Sequence, residues 1–101
     1  MPFDAEITPK SRDLIVLEKA RARLARGWGH GARCLWPFGK NLCIVSSLCH
    51  EGMKSNADTA RVLSTLGFDS SKETIEWNDA PGRTQAEVLA RFDTAIARLS
   101  A

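Results

Sequence analysis

Long hydrophobic runs are missing from this chain of 101 residues. No apolar run approaches about 18 residues, the length from which a transmembrane helix is expected, so we expect no membrane-spanning helix. The first residues, Met-Pro-Phe-Asp, contain neither a basic nor an apolar segment, so we expect no secretory signal. The chain has only three cysteines, and an odd number without an export signal predicts reduced thiols and a cytoplasmic location.

Potential metal ligands are few and irregularly spaced. They are His30, Cys34, Cys43, Cys49 and His50. Structural zinc sites usually use two close pairs of ligands, and adjacent residues on a helix point about 100° apart and rarely ligate one metal. We therefore predict no metal and no cofactor, with the cysteines at 43 and 49 as small buried apolar side chains. A zinc- or thiol-dependent activity stays open as a lesser alternative.

Positive charge is concentrated in one part of the chain, whose formal net charge is +2. Between Lys10 and Lys54 nine lysines and arginines accompany three acidic residues, whereas the rest of the chain is acidic. This asymmetry is typical of proteins with an anionic partner. The basic residues are not interleaved with aromatics and match no nucleic-acid-binding motif, so the simpler interpretation is that they solvate the outer face of a helix.

The clearest structural signals lie near the C-terminus. Residues 80–83 predict a β-turn with positive φ at Gly82, because Pro81 presets φ at the second position and glycine accepts positive φ at the third. Thr84 and Glu87 have the spacing of a capping box. We predict a helix from residue 85 to about residue 99, with an apolar face formed by Val88, Leu89, Phe92, Ile96 and Leu99.

A first helix is predicted over residues 11–26. Ser11 is its expected N-cap, and Asp13 is expected in the first turn, where a carboxylate suits the helix dipole. Ile15 is expected to widen an apolar stripe that consists of Leu14, Leu17, Leu24 and Trp28.

The middle of the chain is less clear. Residues 42–48 are mostly apolar, and so short a run fits a buried helix or a buried strand; its helical neighbours favour a helix. A third helix is predicted to follow Ser55 and to end with Gly67 as a left-handed C′ residue. Polar residues 69–74 are expected to form a loop that leads into an extended segment ending at Trp77.

Trp77 is followed by two polar residues that favour turns, Asn78 and Asp79. One interpretation is a core plug followed by an Asx turn, since a large aromatic side chain buries much apolar area. The alternative is that Trp77 forms the wall of a binding site. The sequence favours the plug.

An apolar loop with two large aromatic residues, Trp36 and Phe38, follows the first helix. Pro37 keeps this loop from extending a helix, so it either covers the core as a lid or offers a surface to a partner. Tryptophan is enriched at binding hot spots, and flanking basic residues would supply a polar rim. The predicted partner-binding residues are Trp36, Phe38, Arg33, Lys40, Arg23 and Arg26.

Several of these motifs occur together in a known family. The run Trp-Asn-Asp-Ala-Pro-Gly-Arg-Thr at residues 77–84, together with Gly27-Trp28 and Leu42-Cys43-Ile44, resembles the short bacterial and phage proteins grouped as domain of unknown function 6197. The resemblance covers roughly residues 14–98. It implies the family's fold but no catalytic residues, because the family has no established activity. The predicted structural turn comprises Trp77, Asn78, Asp79, Gly82 and Thr84.

These features together predict an all-α fold, a small bundle of about four helices with the aromatic loop between helices 1 and 2. Residues 1–9 are expected to form a loose arm and residues 10–101 a single domain, as the length indicates. The favoured function is a non-enzymatic module that binds another macromolecule, with a protein favoured over nucleic acid as the partner. The expected oligomeric state is a monomer or weak homodimer. The alternative is a nucleic-acid-associated regulator that uses the basic first helix.

Overall fold

Helices make up most of the chain that the structure describes. The computed structural model describes residues 9–29, 42–51 and 56–100. Within these ranges the only extended pairing is an isolated parallel bridge between Trp28 and Leu42, so the all-α fold class is confirmed. The helices are α1 (Pro9–Arg26), α2 (Ile44–His50), α3 (Asn56–Leu66), α4 (Ser71–Asn78) and α5 (Gln85–Ser100).

The hydrophobic core lies where α1 and α5 pack side by side. Arg21 donates a hydrogen bond to Asp93, and Gln85 donates one to the carbonyl of Leu24. The end of α1 therefore lies beside the start of α5, and the two helices are antiparallel. The other helices and the residue after α3 complete this core. Its fully or nearly fully buried side chains include Leu17, Leu24, Ile44, Leu48, Val62, Leu63, Leu66, Phe68, Val88 and Phe92.

Helix α1 begins at Pro9, two residues before the predicted start. Proline is well suited to a first helical turn because its missing N–H would have no partner there. The prediction of Ser11 as N-cap was therefore wrong, and Asp13 does not lie in the first turn. Asp13 is instead 2% exposed and forms two hydrogen bonds with Arg61 of α3, at 2.6 and 2.8 Å. Residues 1–8 of the predicted arm lie outside the described residues.

The prediction that Ile15 belongs to the apolar stripe of α1 was also wrong. It is 45% exposed and does not extend the apolar face of α1. At about 100° per residue, Ile15 points roughly opposite to Leu17, which is fully buried. The core face of α1 is formed instead by Asp13, Val16, Leu17, Ala20 and Leu24.

The uncertain segment at residues 42–48 is helical from Ile44 onward, and Leu42 forms the bridge to Trp28.

The predicted loop at residues 69–74 was wrong, because helix α4 begins at Ser71. Ser70 is its N-cap, and the Ser70 hydroxyl accepts from the amide of Glu73 at 3.1 Å. Thr74 is fully buried, whereas Ser71, Lys72 and Glu73 are exposed, so most of the polar residues here form the outer face of a short helix.

The turns around α4 follow their predicted chemistry. Gly67 has φ of +95°, and the amides of Gly67 and Phe68 donate to Ser64 and Leu63, which is the Schellman pattern. Gly82 has φ of +81°, and the amide of Arg83 donates to the carbonyl of Ala80, as in a type II turn. Both predicted positive φ values are confirmed.

The capping box of α5 is confirmed as well. The Glu87 amide donates to the Thr84 hydroxyl at 3.2 Å, and the Thr84 amide donates to the Glu87 carboxylate at 2.9 Å. The Thr84 hydroxyl also donates to the Glu87 carboxylate at 3.2 Å, and the bonds from the Thr84 amide and hydroxyl lower the pKa of this carboxyl. The start of α5 is therefore set by the local capping box of Thr84 and Glu87.

Replacing the two left-handed glycines by alanine is expected to have unequal effects. Gly82→Ala should cost about 1 kcal/mol through backbone strain alone, because nothing lies within 4 Å of an added Cβ. Gly67→Ala should cost about 2 kcal/mol, since its Cβ would also lie 2.8 Å from the Arg91 guanidinium and disturb the bonds that Arg91 makes. Urea unfolding of both variants measures the difference, and equal midpoints would contradict the assigned role of Arg91.

Candidate functional site

Asn78 is the centre of a buried polar cluster. Its side chain is fully buried at the end of α4. The Oδ1 atom accepts from the indole N–H of Trp28 at 2.8 Å and from the amide of Ile44 at 3.2 Å. The Nδ2 atom donates to the carbonyl of Gly29 at 3.1 Å and to Asp79 Oδ1 at 3.0 Å. One carboxamide thus joins the end of α1, the start of α2 and the end of α4.

The same cluster fixes both ends of the segment between α1 and α2. The Leu42 amide donates to Gly27 and the Gly29 amide donates to Leu42, which forms the parallel bridge. Because Asn78 also contacts Gly29 and Ile44, both ends of the segment are held at one place. Asn78 therefore acts as a structural clamp and does not present its polar atoms to solvent.

Trp77 lies within a group of aromatic and arginine side chains. Its half-buried ring packs against Phe68 at a centroid distance of 5.6 Å, and the guanidinium of Arg83 lies 3.7 Å from its centroid. Arg83 also donates to the Trp77 carbonyl at 2.9 Å. Trp77 and Asn78 are helical, so the predicted extended segment was wrong. Trp77 packs on the core and also lines a surface groove.

We name this depression the α3–α5 groove. It has a volume of about 450 Å³ and lies between the end of α3 and one flank of α5. Arg91 of α5 donates to the carbonyls of Leu66 and Gly67, and Arg98 donates to the carbonyl of Thr65. The two arginines therefore cap the C-terminal end of α3. Residues that line the groove include Thr65, Leu66, Trp77, Ala90, Arg91 and Arg98.

The solvent-facing stripe of α1 forms a second candidate surface, which we name the α1 outer face. It consists of Arg12, Ile15, Lys19, Ala22 and Arg26, which are all exposed. The spacings of three, four and seven residues place these side chains on one side of the helix. Within residues 9–29, 42–51 and 56–100, no ion pair involves any of its three basic residues.

The predicted partner-binding residues fall into two groups. Arg26 belongs to the α1 outer face, whereas Arg23 forms an ion pair with Glu51 and is partly buried. Lys19, Ala22, Arg23, Arg26 and Glu51 line a surface depression of about 330 Å³. The other predicted residues, Arg33, Trp36, Phe38 and Lys40, lie outside the described residues.

The described cysteines differ from the prediction of buried apolar side chains. Cys43 is the N-cap of α2, where its Sγ atom accepts from the Ser46 amide at 3.5 Å. Cys49 is exposed on the same helix. A short apolar sequence does not distinguish a capping sulfur from a core sulfur. In the described part of the chain no three His, Cys, Asp or Glu side chains cluster closely enough to hold a metal ion.

Comparison with known proteins places the chain in a family. The model of the family of unknown function DUF6197 matches residues 8–98. The chain belongs to this family. No curated protein and no solved structure matches the DUF6197 chain. Among the described helices of this DUF6197 protein, none has both the length and the apolar character needed to cross a membrane.

Proposed function

We propose that this DUF6197 protein is a small non-enzymatic binding module that contacts an acidic protein surface through the α1 outer face. The observation that carries the proposal is the composition of this face. Three exposed cations flank exposed Ile15 and Ala22, and no described acidic residue is paired with these cations.

The charge distribution on α1 supports an anionic partner. Arg12, Lys19 and Arg26 recur every seven residues and span about 21 Å at the rise of an α-helix. The acidic residue Asp13 is buried against Arg61 and does not neutralise this face. Glu18 is exposed but lies to one side of the stripe. The stripe therefore presents positive charge along most of the helix.

Ile15 favours a protein partner over a polyanion. It is one of two large apolar side chains that are exposed among the described residues. Protein interfaces typically combine an apolar centre with a polar rim, and Ile15 lies between Arg12 and Lys19 in this arrangement. A nucleic-acid backbone would gain little from contact with an isoleucine.

The proposal also includes four residues between α1 and α2, which lie outside the described residues and are included on the basis of the sequence alone. The nearest described residue before this segment, Gly29, follows α1 by three residues, and Asn78 and the bridge to Leu42 hold both ends of the segment next to that helix. Large aromatic residues such as tryptophan are enriched at binding hot spots, which supports a contribution of this segment to the interface. The residues that it would contribute are Arg33, Trp36, Phe38 and Lys40.

A nucleic-acid-associated regulator is the second candidate, supported by the regular spacing of the three cations. Binding to phosphates depends steeply on salt, because each neutralised phosphate releases counterions. An acidic protein that also contacts Ile15 would show a weaker salt dependence and would be sensitive to replacement of Ile15. The two candidates therefore predict different responses in one set of variants.

The test uses three immobilised forms of the full chain: the natural sequence, Lys19→Glu and Lys72→Glu. Both lysines are exposed on helices, and both replacements change the net charge equally. Host lysate is passed over each form with and without nuclease treatment. We expect a protein that is retained by the natural sequence and by Lys72→Glu but lost from Lys19→Glu, with an affinity at least ten-fold weaker for Lys19→Glu.

Ile15→Ser then separates the two candidates. For a protein partner, affinity should fall several-fold while circular dichroism stays unchanged, because Ile15 is exposed. Retention that disappears with nuclease and is insensitive to Ile15→Ser would support the nucleic-acid candidate. Equal retention by Lys19→Glu and Lys72→Glu would contradict both candidates, since neither could then use the α1 outer face.

A further inference from the structure

The α3–α5 groove lies on the flank of α5 that faces away from α1. Gln85 and Asp93 of α5 contact α1, whereas Arg91 and Arg98 line the groove on the other side of the helix. The groove is therefore separate from the α1 outer face. Its volume of about 450 Å³ falls within the range of small-molecule sites in proteins.

Two cations of the groove have no carboxylate partner in the described ranges. Arg91 donates from Nε and Nη2 to backbone carbonyls, and Arg98 donates from Nη1 to a carbonyl at 3.3 Å. Glu87 also lines the groove, and its carboxylate is bonded to Arg83 and Thr84. Burial and the neighbouring charges of Arg83 and Arg98 lower the pKa of Arg91, while Glu73 acts in the opposite direction.

The lining of the groove is partly apolar, through Trp77 and Ala90, and partly polar, through Thr65, Thr94 and Glu87. The Trp77 ring is partly exposed, and the guanidinium of Arg91 lies 4.8 Å from its centroid. Arg98 is exposed and keeps further N–H donors beyond the one that bonds to Thr65. The groove thus combines an apolar wall, formed by Trp77 and Ala90, with two cations that have no carboxylate partner among the described residues.

We infer that the α3–α5 groove binds a small carboxylic acid with an apolar body. The carboxylate pairs with Arg98 and Arg91, and the apolar body lies against Trp77 and Ala90. A carboxylate matches the planar guanidinium of arginine in charge and geometry. Inorganic phosphate would supply the charge but would leave the apolar wall exposed to water.

The test is an NMR titration of the full chain with 3-phenylpropionate. We expect saturable shifts of the Trp77 indole and the Gly67 amide, with a dissociation constant on the order of 1 mM, as is typical of ligands with about eleven heavy atoms. The neutral amide 3-phenylpropanamide should bind at least ten-fold more weakly, as should acetate and inorganic phosphate. Equal binding of the neutral amide would overturn the ionic part of the inference, and equal binding of phosphate or acetate would overturn the apolar part.

Two variants locate the binding site. Arg98→Gln should raise the dissociation constant at least ten-fold, whereas Lys72→Gln should leave it unchanged. Ala90→Leu adds bulk to the groove from an exposed position, so it should also abolish binding while the helical circular dichroism persists. Absence of saturable shifts, or binding that survives both groove variants, would overturn the inference.

Discussion

Asn78→Ala is expected to destabilise the protein by about 3 kcal/mol. The replacement removes a fully buried carboxamide and leaves the indole N–H of Trp28 and the amide of Ile44 without their acceptor. A buried donor that loses its partner costs about 1–3 kcal/mol, and here two donors are affected. The free energy of unfolding from urea titration measures the loss.

The control variants separate the clamp from a general effect on α4. Glu76→Ala changes an exposed residue of the same helix and should stay within about 0.5 kcal/mol of the natural sequence. Trp28→Phe removes only one of the donors and should cost less than Asn78→Ala. Combining Trp28→Phe with Asn78→Ala should be less than additive, because both remove the same bond. Strict additivity would contradict the assigned contact.

Arg61→Ala is expected to have a similarly large effect. It leaves the carboxylate of Asp13, which is 2% exposed, buried without its cation. Loss of its cation leaves this buried carboxylate uncompensated, which is strongly destabilising, so we expect a fall in the urea midpoint well beyond that of Glu76→Ala. The hydrogen bonds that Arg61 donates to Asp13, and secondarily to Asp58, raise the pKa of Arg61, which is consistent with this pairing.

The reverse replacement provides the comparison. Asp13→Ala leaves Arg61, whose side chain is 39% exposed, still paired with Asp58 at 2.9 Å. Asp13→Ala should therefore cost less than Arg61→Ala, and Asp13→Leu combined with Arg61→Leu should recover part of the loss. A larger loss for Asp13→Ala would show that burial of this carboxylate is not the source of the effect. Urea unfolding of all three variants gives the order.

The parts of the fold that were predictable from the sequence are those set by local chemistry. The capping box at Thr84, the turn at Gly82 and the C′ residue Gly67 each depend on residues within a few positions of one another. Helix α4 was missed because its eight residues are mostly polar and too short to show a helical period. The start of α1 was misplaced because a serine N-cap signal competed with Pro9.

The candidate sites were less predictable because they depend on distant parts of the chain. The clamp joins Asn78 to residues that are 34 to 50 positions away, and nothing in the local pattern of the Trp-Asn-Asp motif indicates those partners. The basic character of α1 was visible in the sequence, but the exposure of Ile15 was not. Arg91 and Arg98 lie off the apolar stripe of α5, and only the position of α3 reveals the groove between them.

The central claim is that one buried carboxamide holds three segments together, and amide hydrogen exchange tests it most directly. The Ile44 amide and the Trp28 indole N–H both donate to Asn78, so both should exchange only when the whole protein unfolds. Their free energies of exchange should then equal that of the Phe92 amide in the core of α5. Rapid exchange of these two protons while Phe92 stays protected would contradict the clamp.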